Sequence, residues 1–466
     1  MSARPLAAIA SAAPAQPTSF VKHLILPVET AARELDAKLL LAVHAVQRGV
    51  AVTLGLKALL NLAIDRFPAG VFLPPNFSRS SEKMIAIAGQ LGHRVVGWDE
   101  EGLVWINEAM YRERRVSRRS LAGLEKVFAW GAQQADALRP ALDGLDVDLV
   151  LAGHPRADLL RPALRASYAA RAEALRAELG DFILVNSNFG WLNHALRYGF
   201  TANGERDLAA LAARSGFPAD YLAHRLALYN RFVEVLPAIA RRFPDRQIVI
   251  RPHPSESDVD WRRASEGLAN VTVRYDSELI PWLLAAGHII HNGCTTALET
   301  AMLDRTPISY RPVISPRHEI PQPALVSVEA RTPADLLDLL GDGGLTRRVE
   351  APVATNLAGL VASASGALAS ERMAAVIDAM LSEPRPPVSR WRRLGGRAAA
   401  MQRRMKHRRT SAAGDSSRNP AYYSQKFPPT PVAEIEARTA AFAAALGLPA
   451  PRVAEISDRV FRLTPA

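Results

Sequence analysis

Two polar motifs in the second half of the chain combine residue types that bind anions. They are Arg251-Pro-His-Pro254 and Asn292-Gly-Cys-Thr-Thr296. A guanidinium and an imidazole in the first motif can hold a phosphate group from one side. In the second, Gly293 precedes the hydroxyls of Thr295 and Thr296 at a helix start, where N–H groups and the helix dipole attract negative charge. Each motif alone is explained by a rigid turn or a helix cap, but together they predict a nucleotide-phosphate site.

A third motif, Asp99-Glu-Glu-Gly102, places three carboxylates in a row. Neighbouring like charges disfavour one another's ionised form, so such a turn is expected either in solvent or facing a cleft. A solvated acidic turn is the simpler interpretation. The alternative is a general base, a group that takes a proton from a reacting hydroxyl.

Apolar runs end where these motifs begin, which indicates buried strands. Residues 247–250 precede the first motif, residues 288–291 the second and residues 92–96 the acidic turn, while residues 297–302 continue the second motif as a helix. Open parallel sheets bind ligands at the carboxyl ends of their strands. The motifs are therefore expected at that edge.

Strands and amphipathic helices alternate through both halves of the chain. The further predicted strands are residues 22–27, 50–54, 124–130, 147–151, 182–185 and 306–310. The predicted helices are residues 33–49, 161–179, 206–243, 335–340 and 361–381. This alternation predicts an α/β fold with two Rossmann-like domains, whose parallel sheets face each other across a cleft. After the strand at 147–151, Arg156 and Asp158 are expected to pair with each other and buttress the loop.

A chain of 466 residues is too long for one ordinary core, so more than one domain is expected. The predicted divisions are a flexible tail over residues 1–20, an N-terminal domain over 21–180 that carries the base, a C-terminal nucleotide-binding domain over 181–383, a Pro- and Arg-rich basic segment over 384–418 and a helical region over 419–466.

The composition favours a globular protein of a reducing compartment. Apolar residues make up 48% of the chain, and no apolar run approaches the roughly 20 residues needed to cross a bilayer. The single cysteine excludes an internal disulfide and is typical of cytoplasmic proteins. The sequence therefore predicts a cytoplasmic protein.

The net charge of +11 is concentrated in one segment. Nine Lys or Arg and no acidic residue lie between Arg390 and Arg409, so only +2 remains for the rest of the chain. This distribution argues against a specific nucleic-acid partner. The segment, in which Trp391 and Leu394 are interleaved with the basic residues, is either an anchor on the anionic inner face of the plasma membrane or a solvated, partly disordered linker.

The motifs also carry a family resemblance when they are taken as an ordered set. Leu26-Pro-Val-Glu-Thr, Asp99-Glu-Glu-Gly, Gly153-His-Pro-Arg-Ala-Asp, Arg251-Pro-His-Pro and Gly293-Cys-Thr-Thr-Ala-Leu-Glu occur in this order. The chain thereby resembles the bacterial surface carbohydrate biosynthesis proteins, a family assigned to the GT-B glycosyltransferases. A weaker similarity is to bacterial sialyltransferases and Kdo transferases, which use CMP-activated sugars. The resemblance implies a GT-B-like fold and transfer of a sugar to a surface glycan.

The resemblance also implies roles for individual residues. Glu101 matches the catalytic carboxylate, and His253 matches a phosphate ligand or leaving-group acid. Because Asp99 is an extra carboxylate beside Glu100 and Glu101, which of the three acts stays open. The set expected to bind the nucleotide or its phosphate is Arg251, Pro254, Asn292, Gly293, Thr295, Thr296 and Glu299, with Glu299 on the ribose.

The expected partners follow from this reaction. The donor would be a nucleotide sugar, most readily a CMP-activated nonulosonic acid or Kdo-type sugar, and the acceptor a glycan or glycolipid. Arg251, His253 and the helix start would neutralise the leaving phosphate, so no cofactor and no essential metal are expected. The rival enzymes are a CDP-glycerol-type polyol-phosphate transferase and a sugar-nucleotide epimerase. A non-catalytic scaffold of a polysaccharide assembly complex, or a membrane- or RNA-binding protein, is the alternative of another class.

Overall fold

The structure, a computed structural model, describes residues 22–195, 197–201, 204–274, 278–343, 345, 351–411 and 420–466. The chain forms two compact units. The first contains residues 22–103, Glu108–Ser167 and Ala358–Ala466, and the second contains Val104–Asn107 and Tyr168–Leu357. The predicted tail over residues 1–20 and the end of the predicted basic segment, residues 412–418, lie outside the described residues.

The strands of the described chain are short and mostly buried. They are β1 (His23–Val28), β2 (Ala51–Leu56), β3 (Val71–Phe72), β4 (Arg94–Gly97), β5 (Lys126–Ala129), β6 (Asp148–Leu151), β7 (Ile183–Asn186), β8 (Ile248–Arg251), β9 (Val271–Val273), β10 (His288–His291), β11 (Ile308–Tyr310), β12 (Val328–Ala330), β13 (Arg452–Ser457) and β14 (Val460–Thr464).

The helices connect these strands, and among the described residues none is long and apolar enough to cross a membrane. They are α1 (Ala31–Gln47), α2 (Lys57–Leu62), α3 (Glu82–Leu91), α4 (Glu108–Arg115), α5 (Arg118–Leu121), α6 (Ala132–Leu142), α7 (Pro155–Asp158), α8 (Pro162–Arg165), α9 (Ala169–Leu179), α10 (Leu208–Ser215), α11 (Ala219–Arg242), α12 (Val259–Ala264), α13 (Ile280–Ala285), α14 (Thr295–Met302), α15 (Pro321–Ala324), α16 (Pro333–Gly341), α17 (Ala351–Leu360), α18 (Ala369–Ser382), α19 (Arg390–Ser411), α20 (Pro420–Lys426) and α21 (Val432–Ala445), with short 3-10 helices at Ile64–Arg66, Arg79–Ser81 and Ala166–Tyr168.

In the first unit the described strands form one sheet in the order β13-β14-β2-β1-β3-β4-β5-β6. Strands β1 to β6 are parallel. The chain passes from β1 to β2 on one side and then returns to β3 on the other, so the direction of winding reverses beside β1. The carboxyl ends of strands at such a reversal form a ligand-binding crevice in open α/β sheets. The acidic turn after β4 lies at this edge.

The C-terminal part of the chain completes the first sheet. Strands β13 and β14 form an antiparallel hairpin, and β14 pairs antiparallel with β2. Strand β2 and the hairpin approach each other closely at Gly55, because a Cβ there would lie 2.3 Å from the carbonyl oxygen of Arg459. Arg459 also donates a hydrogen bond of 2.9 Å to the carbonyl of the fully buried Phe427. The C-terminal segment is therefore part of the first unit.

This arrangement differs from the predicted domain boundaries, which ended the C-terminal domain at residue 383 and set 419–466 apart. Helix α18 packs on α1. The carboxylate of Asp158 accepts hydrogen bonds of 2.9 and 2.8 Å from the N–H groups of Ala369 and Ser370 at the start of α18, and one of 2.7 Å from the Ser370 hydroxyl. The buried carboxylate of Asp158 thus accepts the N–H groups at the start of α18, where negative charge is favourable. Helix α18 therefore belongs to the first unit.

In the second unit the described strands form a parallel sheet in the order β12-β11-β10-β7-β8-β9. Here the winding reverses between β7 and β10. Both faces of the sheet are covered, which is why its strands read as continuous apolar runs. Ile183, Ile250 and Ile290 of the central strands pack with Phe232 of α11 in one core.

The predicted α/β fold with two Rossmann-like domains is confirmed. The predicted strand over 288–291 has these bounds in the structure, and the other predicted strands lie within a few residues of the observed ones. The predicted helix over 206–243 is two helices, α10 and α11. Gly216 adopts a positive φ of 68° and ends α10, and Pro218 precedes α11. The short strands β3, β9 and β12 and the C-terminal hairpin were not predicted.

Candidate functional site

The reversal in the second unit brings the ends of three strands side by side. Arg251 of β8 is the register partner of Asn186 on β7, which is the partner of His291 on β10. The side chains of Asn186 and Asn292 are almost fully buried. Nδ2 of Asn186 and both polar atoms of the Asn292 side chain have no hydrogen-bond partner among the described residues. Since buried amides in folded proteins are nearly always hydrogen bonded, a water molecule or a polar ligand would be needed to satisfy these groups.

Gly293 turns the chain from β10 into α14. It has a positive φ of 84° and donates its N–H to Nδ1 of His291 at 3.0 Å. Burial lowers the pKa of His291 to about 3, which keeps this imidazole neutral and able to accept the bond. Thr295 and Thr296 are the first residues of α14, half-buried and buried respectively. The N–H of Ala297 donates to the carbonyl of Cys294 at 3.2 Å, and the helix dipole at this end favours negative charge.

The motif that follows β8 forms a compact turn. Nδ1 of His253 accepts the N–H of Ser255 at 3.2 Å and lies 2.8 Å from the Ser255 hydroxyl. A neutral imidazole with Nδ1 as acceptor carries its proton on Nε2, which is then a donor. Gly190 allows this arrangement, because a Cβ there would lie 2.3 Å from Oγ of Ser255. Pro254 is half-buried in the same turn, and Arg251 before it is buried.

Glu256 holds this turn in place, although the sequence did not single it out. The buried carboxylate accepts N–H groups from Phe189 at 2.7 Å and His253 at 3.3 Å. It also accepts the Ser187 hydroxyl at 2.9 Å and Nε1 of Trp261 at 3.1 Å. Burial raises its pKa, and these four donors oppose that effect. Glu256 therefore joins the loops after β7 and β8.

Arg225 of α11 makes a second such link and was also missed. It donates to the carbonyl of Asn292 at 3.2 Å and to that of Asn188, and its guanidinium lies 4.9 Å from the centre of the Phe189 ring. One buried cation thus fixes the loops after β7 and β10 relative to each other. Its signal in the sequence is weak, since its partners are backbone carbonyls distant along the chain.

A cavity adjoins this strand edge within the second unit. Its wall includes Arg225, Asn292 and Gly293, together with Ser309 and Arg311 at the end of β11. Leu228, Val313 and Ile320 also line it, and its volume of about 20 Å³ is enough for about one water molecule. Glu299, one turn into α14, is half-buried. The predicted nucleotide-binding residues therefore share one edge of one sheet.

Two Asp-x-Asp sequences occur in the chain, and three of their four carboxylates pair with cationic side chains. In Asp146-Val-Asp148, Asp148 pairs with Lys126. In Asp258-Val-Asp260, Asp258 pairs with Arg262 at 2.7 Å, and Asp260 lies 3.0 Å from Arg206 and 3.4 Å from Arg197. These ion pairs account for both sequences structurally.

The acidic turn of the first unit is not solvated as a whole. Asp99 is fully buried, and its carboxylate pairs with Arg115, with Oδ2 accepting Nε at 3.1 Å. Oδ1 accepts the N–H of Glu101 at 3.2 Å, and the Asp99 carbonyl accepts Nε1 of Trp130 at 2.8 Å. Asp99 therefore shapes the turn and is not exposed to a substrate.

Glu100 is buried in a cluster of charged side chains. Its Oε1 lies 3.0 Å from Nζ of Lys38, and its Oε2 lies 3.4 Å from Nε2 of His154. Lys38 also donates to Glu34 and to the carbonyl of Pro27, each at 2.7 Å. Burial raises the pKa of Glu100 to about 7, against the opposing effect of Lys38.

The uncharged ring of His154 lies on one side of this cluster. Its ring stacks on Trp130 at a centroid distance of 4.0 Å, and Nδ1 accepts the N–H of Arg156 at 3.2 Å. Burial lowers its pKa well below the usual value, so the proton of the neutral ring lies on Nε2, which faces Glu100. Arg156 donates to the Glu100 carbonyl at 3.2 Å, while Asp158 binds the start of α18. The two side chains thus have other functions than the predicted mutual pair.

Glu101 differs from its two neighbours in being accessible. Its side chain is 42% exposed and pairs with Arg33, which also lies 3.5 Å from Glu34. The neighbouring guanidinium favours the ionised carboxylate that a base requires. Among Asp99, Glu100 and Glu101, it is the one that an acceptor molecule can reach from solvent.

The comparisons with known proteins give weak structural similarities. No protein-family model matches this chain, and no curated protein sequence matches it. The wall teichoic acid polymerase TagF, in a structure soaked with CDPG, aligns with a TM-score of 0.46 and 9% identity over 81% of this chain and 93% of its own. The UDP-GlcNAc 2-epimerase of Methanocaldococcus jannaschii aligns with a TM-score of 0.48 and 11% identity over 76% and 99%.

A second epimerase, that of Neisseria meningitidis bound to UDP-GlcNAc, aligns with a TM-score of 0.45 and 10% identity over 77% of this chain and 99% of its own. None of the three named proteins is a sialyltransferase or Kdo transferase, so the similarity to CMP-sugar enzymes stays a resemblance between motifs. At these scores the likenesses transfer no function to this chain.

Proposed function

We propose that this protein is a nucleotide-sugar-dependent glycosyltransferase of surface polysaccharide biosynthesis. The observation that carries the proposal is the pair of buried, unpartnered amides of Asn186 and Asn292 at the strand edge where α14 begins. Buried amides without partners cost stability unless a ligand or water satisfies them. A nucleotide phosphate placed here would accept hydrogen bonds from Nδ2 of Asn186 and Nδ2 of Asn292, and it would lie beside the start of α14.

The second unit would hold the leaving nucleotide. The first turn of α14, with Thr295 and Thr296, donates hydrogen bonds to the phosphate, and Arg251 adds positive charge. Nε2 of the neutral His253 ring donates a hydrogen bond to the departing oxygen; to act as the leaving-group acid, the ring would first take up a proton at Nδ1. These groups stabilise the negative charge that develops as the sugar leaves, which is a large contribution to catalysis in such sites.

The first unit would supply the base. Glu101 takes the proton of the acceptor hydroxyl, and Arg33 orients its carboxylate. Asp99 and Glu100 are positioning residues, since their carboxylates are bound within the fold. The acceptor is a glycan or glycolipid in this proposal, and no metal or cofactor takes part.

For the donor we propose a CMP-activated nonulosonic acid or Kdo-type sugar, because Glu100-Glu101-Gly102, His253-Pro254 and Thr295-Thr296 occur in the order of the enzymes that use such donors. CDP-glycerol-type and UDP-sugar donors would bring a diphosphate to the same strand edge. They differ from a CMP-sugar in the number of phosphates and in the group transferred, and UDP-sugars also differ in the nucleobase, so trials with each donor distinguish them.

We expect the purified protein to consume one class of donor when CMP-sialic-type sugars, CDP-glycerol and UDP-sugars are supplied with glycan acceptors. Release of the nucleotide and a mass increase of the acceptor would be measured together, with and without a chelator. Turnover of a CMP-sugar that resists chelation supports the proposal. Turnover of CDP-glycerol alone reassigns the chain to polyol-phosphate transfer, and conversion of a UDP-sugar without acceptor reassigns it to epimerisation. No binding of any nucleotide would overturn the proposal and favour a scaffold.

A further inference from the structure

The segment that holds the excess charge is an ordered helix on the first unit. Helix α19 runs over 22 residues. Gly396 faces α3 closely, since a Cβ there would lie 3.0 Å from Cβ of Gln90. Ala400 is buried, and Arg404 binds Asp65 at 2.5 and 3.0 Å and the Leu62 carbonyl at 2.9 Å. This helix is docked along one side, which excludes a disordered linker over residues 390–411.

Four large apolar side chains of α19 lie exposed on the side away from the fold. Trp391 is 70% exposed, and the other three, Leu394, Met401 and Met405, are 47 to 54% exposed. At 3.6 residues per turn, the four fall within a sector of about 80° on the helix surface, and Gly396 and Ala400 lie roughly opposite. Packing within the first unit does not explain this stripe. A contiguous exposed apolar stripe of this kind marks an interaction surface.

The charge of the helix identifies the chemistry of the partner. Between Arg390 and Arg409 there are nine basic residues and no acidic one. At 3.6 residues per turn, Arg390 and Arg397 fall within about 40° of one edge of the stripe, and Arg409 falls on its other edge in line with Trp391. Long basic side chains can reach anionic groups while apolar neighbours enter a less polar layer. The surface of an anionic lipid bilayer has charged headgroups directly beside a less polar layer, so it can bind both kinds of side chain.

We propose that the exposed apolar stripe of α19, with the basic residues that flank it, docks the protein on an anionic lipid bilayer. The helix lies in the plane of the surface, with the ring of Trp391 at the level of the headgroups. A second copy of this chain is disfavoured as the occupant, because facing stripes would bring two basic segments together. RNA would use the charge but would leave the apolar stripe in water.

The test is co-sedimentation of the full chain with vesicles of phosphatidylcholine alone or mixed with phosphatidylglycerol. We expect binding to the anionic vesicles only, with a decline as salt rises, because exposed charges are screened over about 8 Å at physiological ionic strength. Each basic residue near the surface is expected to contribute roughly five-fold to the binding constant. Trp391 fluorescence should shift to the blue on binding, and Trp391→Phe should remove that shift.

Two sets of variants test whether vesicle binding needs the stripe itself or only exposed apolar residues in general. Replacing the four stripe residues with Ser should weaken vesicle binding by about 100-fold or more while the melting temperature changes little, since these side chains are already exposed. The matched control is Leu151→Ser with Val259→Ser, two residues about half exposed elsewhere on the chain, which should bind like the wild type. Equal binding to neutral vesicles, or undiminished binding by the stripe variant, would overturn the proposal. Binding of RNA in place of anionic vesicles would do so as well.

Discussion

Replacing Glu101 with Gln is expected to slow sugar transfer by roughly 10²–10⁴-fold, the usual cost of losing a general base. The Gln side chain keeps the shape of the Glu but does not take up a proton. Donor binding should be unchanged, since the proposed donor contacts belong to the second unit. Single-turnover transfer and nucleotide titration on the same preparation would measure the two effects separately.

The neighbouring carboxylates provide matched controls for this result. The carboxylate of Glu100 lies 3.0 Å from Nζ of the buried Lys38, so Glu100→Gln removes a buried ion pair and should lower the melting temperature more than it lowers transfer. Asp99→Asn removes the charge that faces Arg115 and should lower the melting temperature more than it lowers transfer. The largest loss of transfer at Glu100 or Asp99 would move the base to that residue. Near wild-type transfer by all three variants would remove catalysis from this turn.

The second large effect is expected at Asn292, where function and stability should change in opposite directions. Its side-chain amide is buried without a partner among the described residues. Asn292→Leu replaces it with an apolar group of similar size, which should raise the free energy of unfolding by about 1–3 kcal/mol, the penalty of an unsatisfied buried polar group. Nucleotide affinity should fall about 10- to 100-fold, as expected for loss of hydrogen bonds to a charged ligand.

Asn61 of the first unit offers a control for the stability part of this prediction. It is also buried, and its Oδ1 has no partner among the described residues. Asn61→Leu should stabilise the protein without changing nucleotide affinity. If Asn292→Leu destabilises the protein and binds nucleotide normally, its amide is satisfied by water and is not part of a ligand site.

The central strands were predictable because each is buried on both faces and therefore appears as an unbroken apolar run. The run at 288–291 had no competing interpretation. Strands β3, β9 and β12 have only two or three residues and lack a periodic pattern. The C-terminal hairpin was missed because its partner β2 is distant along the chain and only the folded structure pairs them.

The candidate site was predictable to the extent that its residues follow strands directly. Arg251, His253 and Asn292 could be placed at a sheet edge from the sequence alone. Arg225 and Glu256 could not, because Arg225 donates to backbone carbonyls of distant loops and two of the donors to Glu256, Ser187 and Phe189, lie 69 and 67 residues away along the chain. The sequence also did not show that Asp99 and Glu100 are buried while Glu101 is accessible. Three adjacent acidic residues look alike in sequence and differ only in what surrounds them in the fold.

The most direct test of the account is calorimetric titration of CMP, CDP and UDP into the wild-type protein and into the double variant Thr295→Val/Thr296→Val. At least one nucleotide is expected to bind the wild type. The variant should bind that nucleotide about 100-fold less tightly, because two hydroxyl donors to phosphate are lost, while its melting temperature stays close to that of the wild type. Equal affinity in the two proteins, or no binding to the wild type, would contradict a phosphate site at the start of α14.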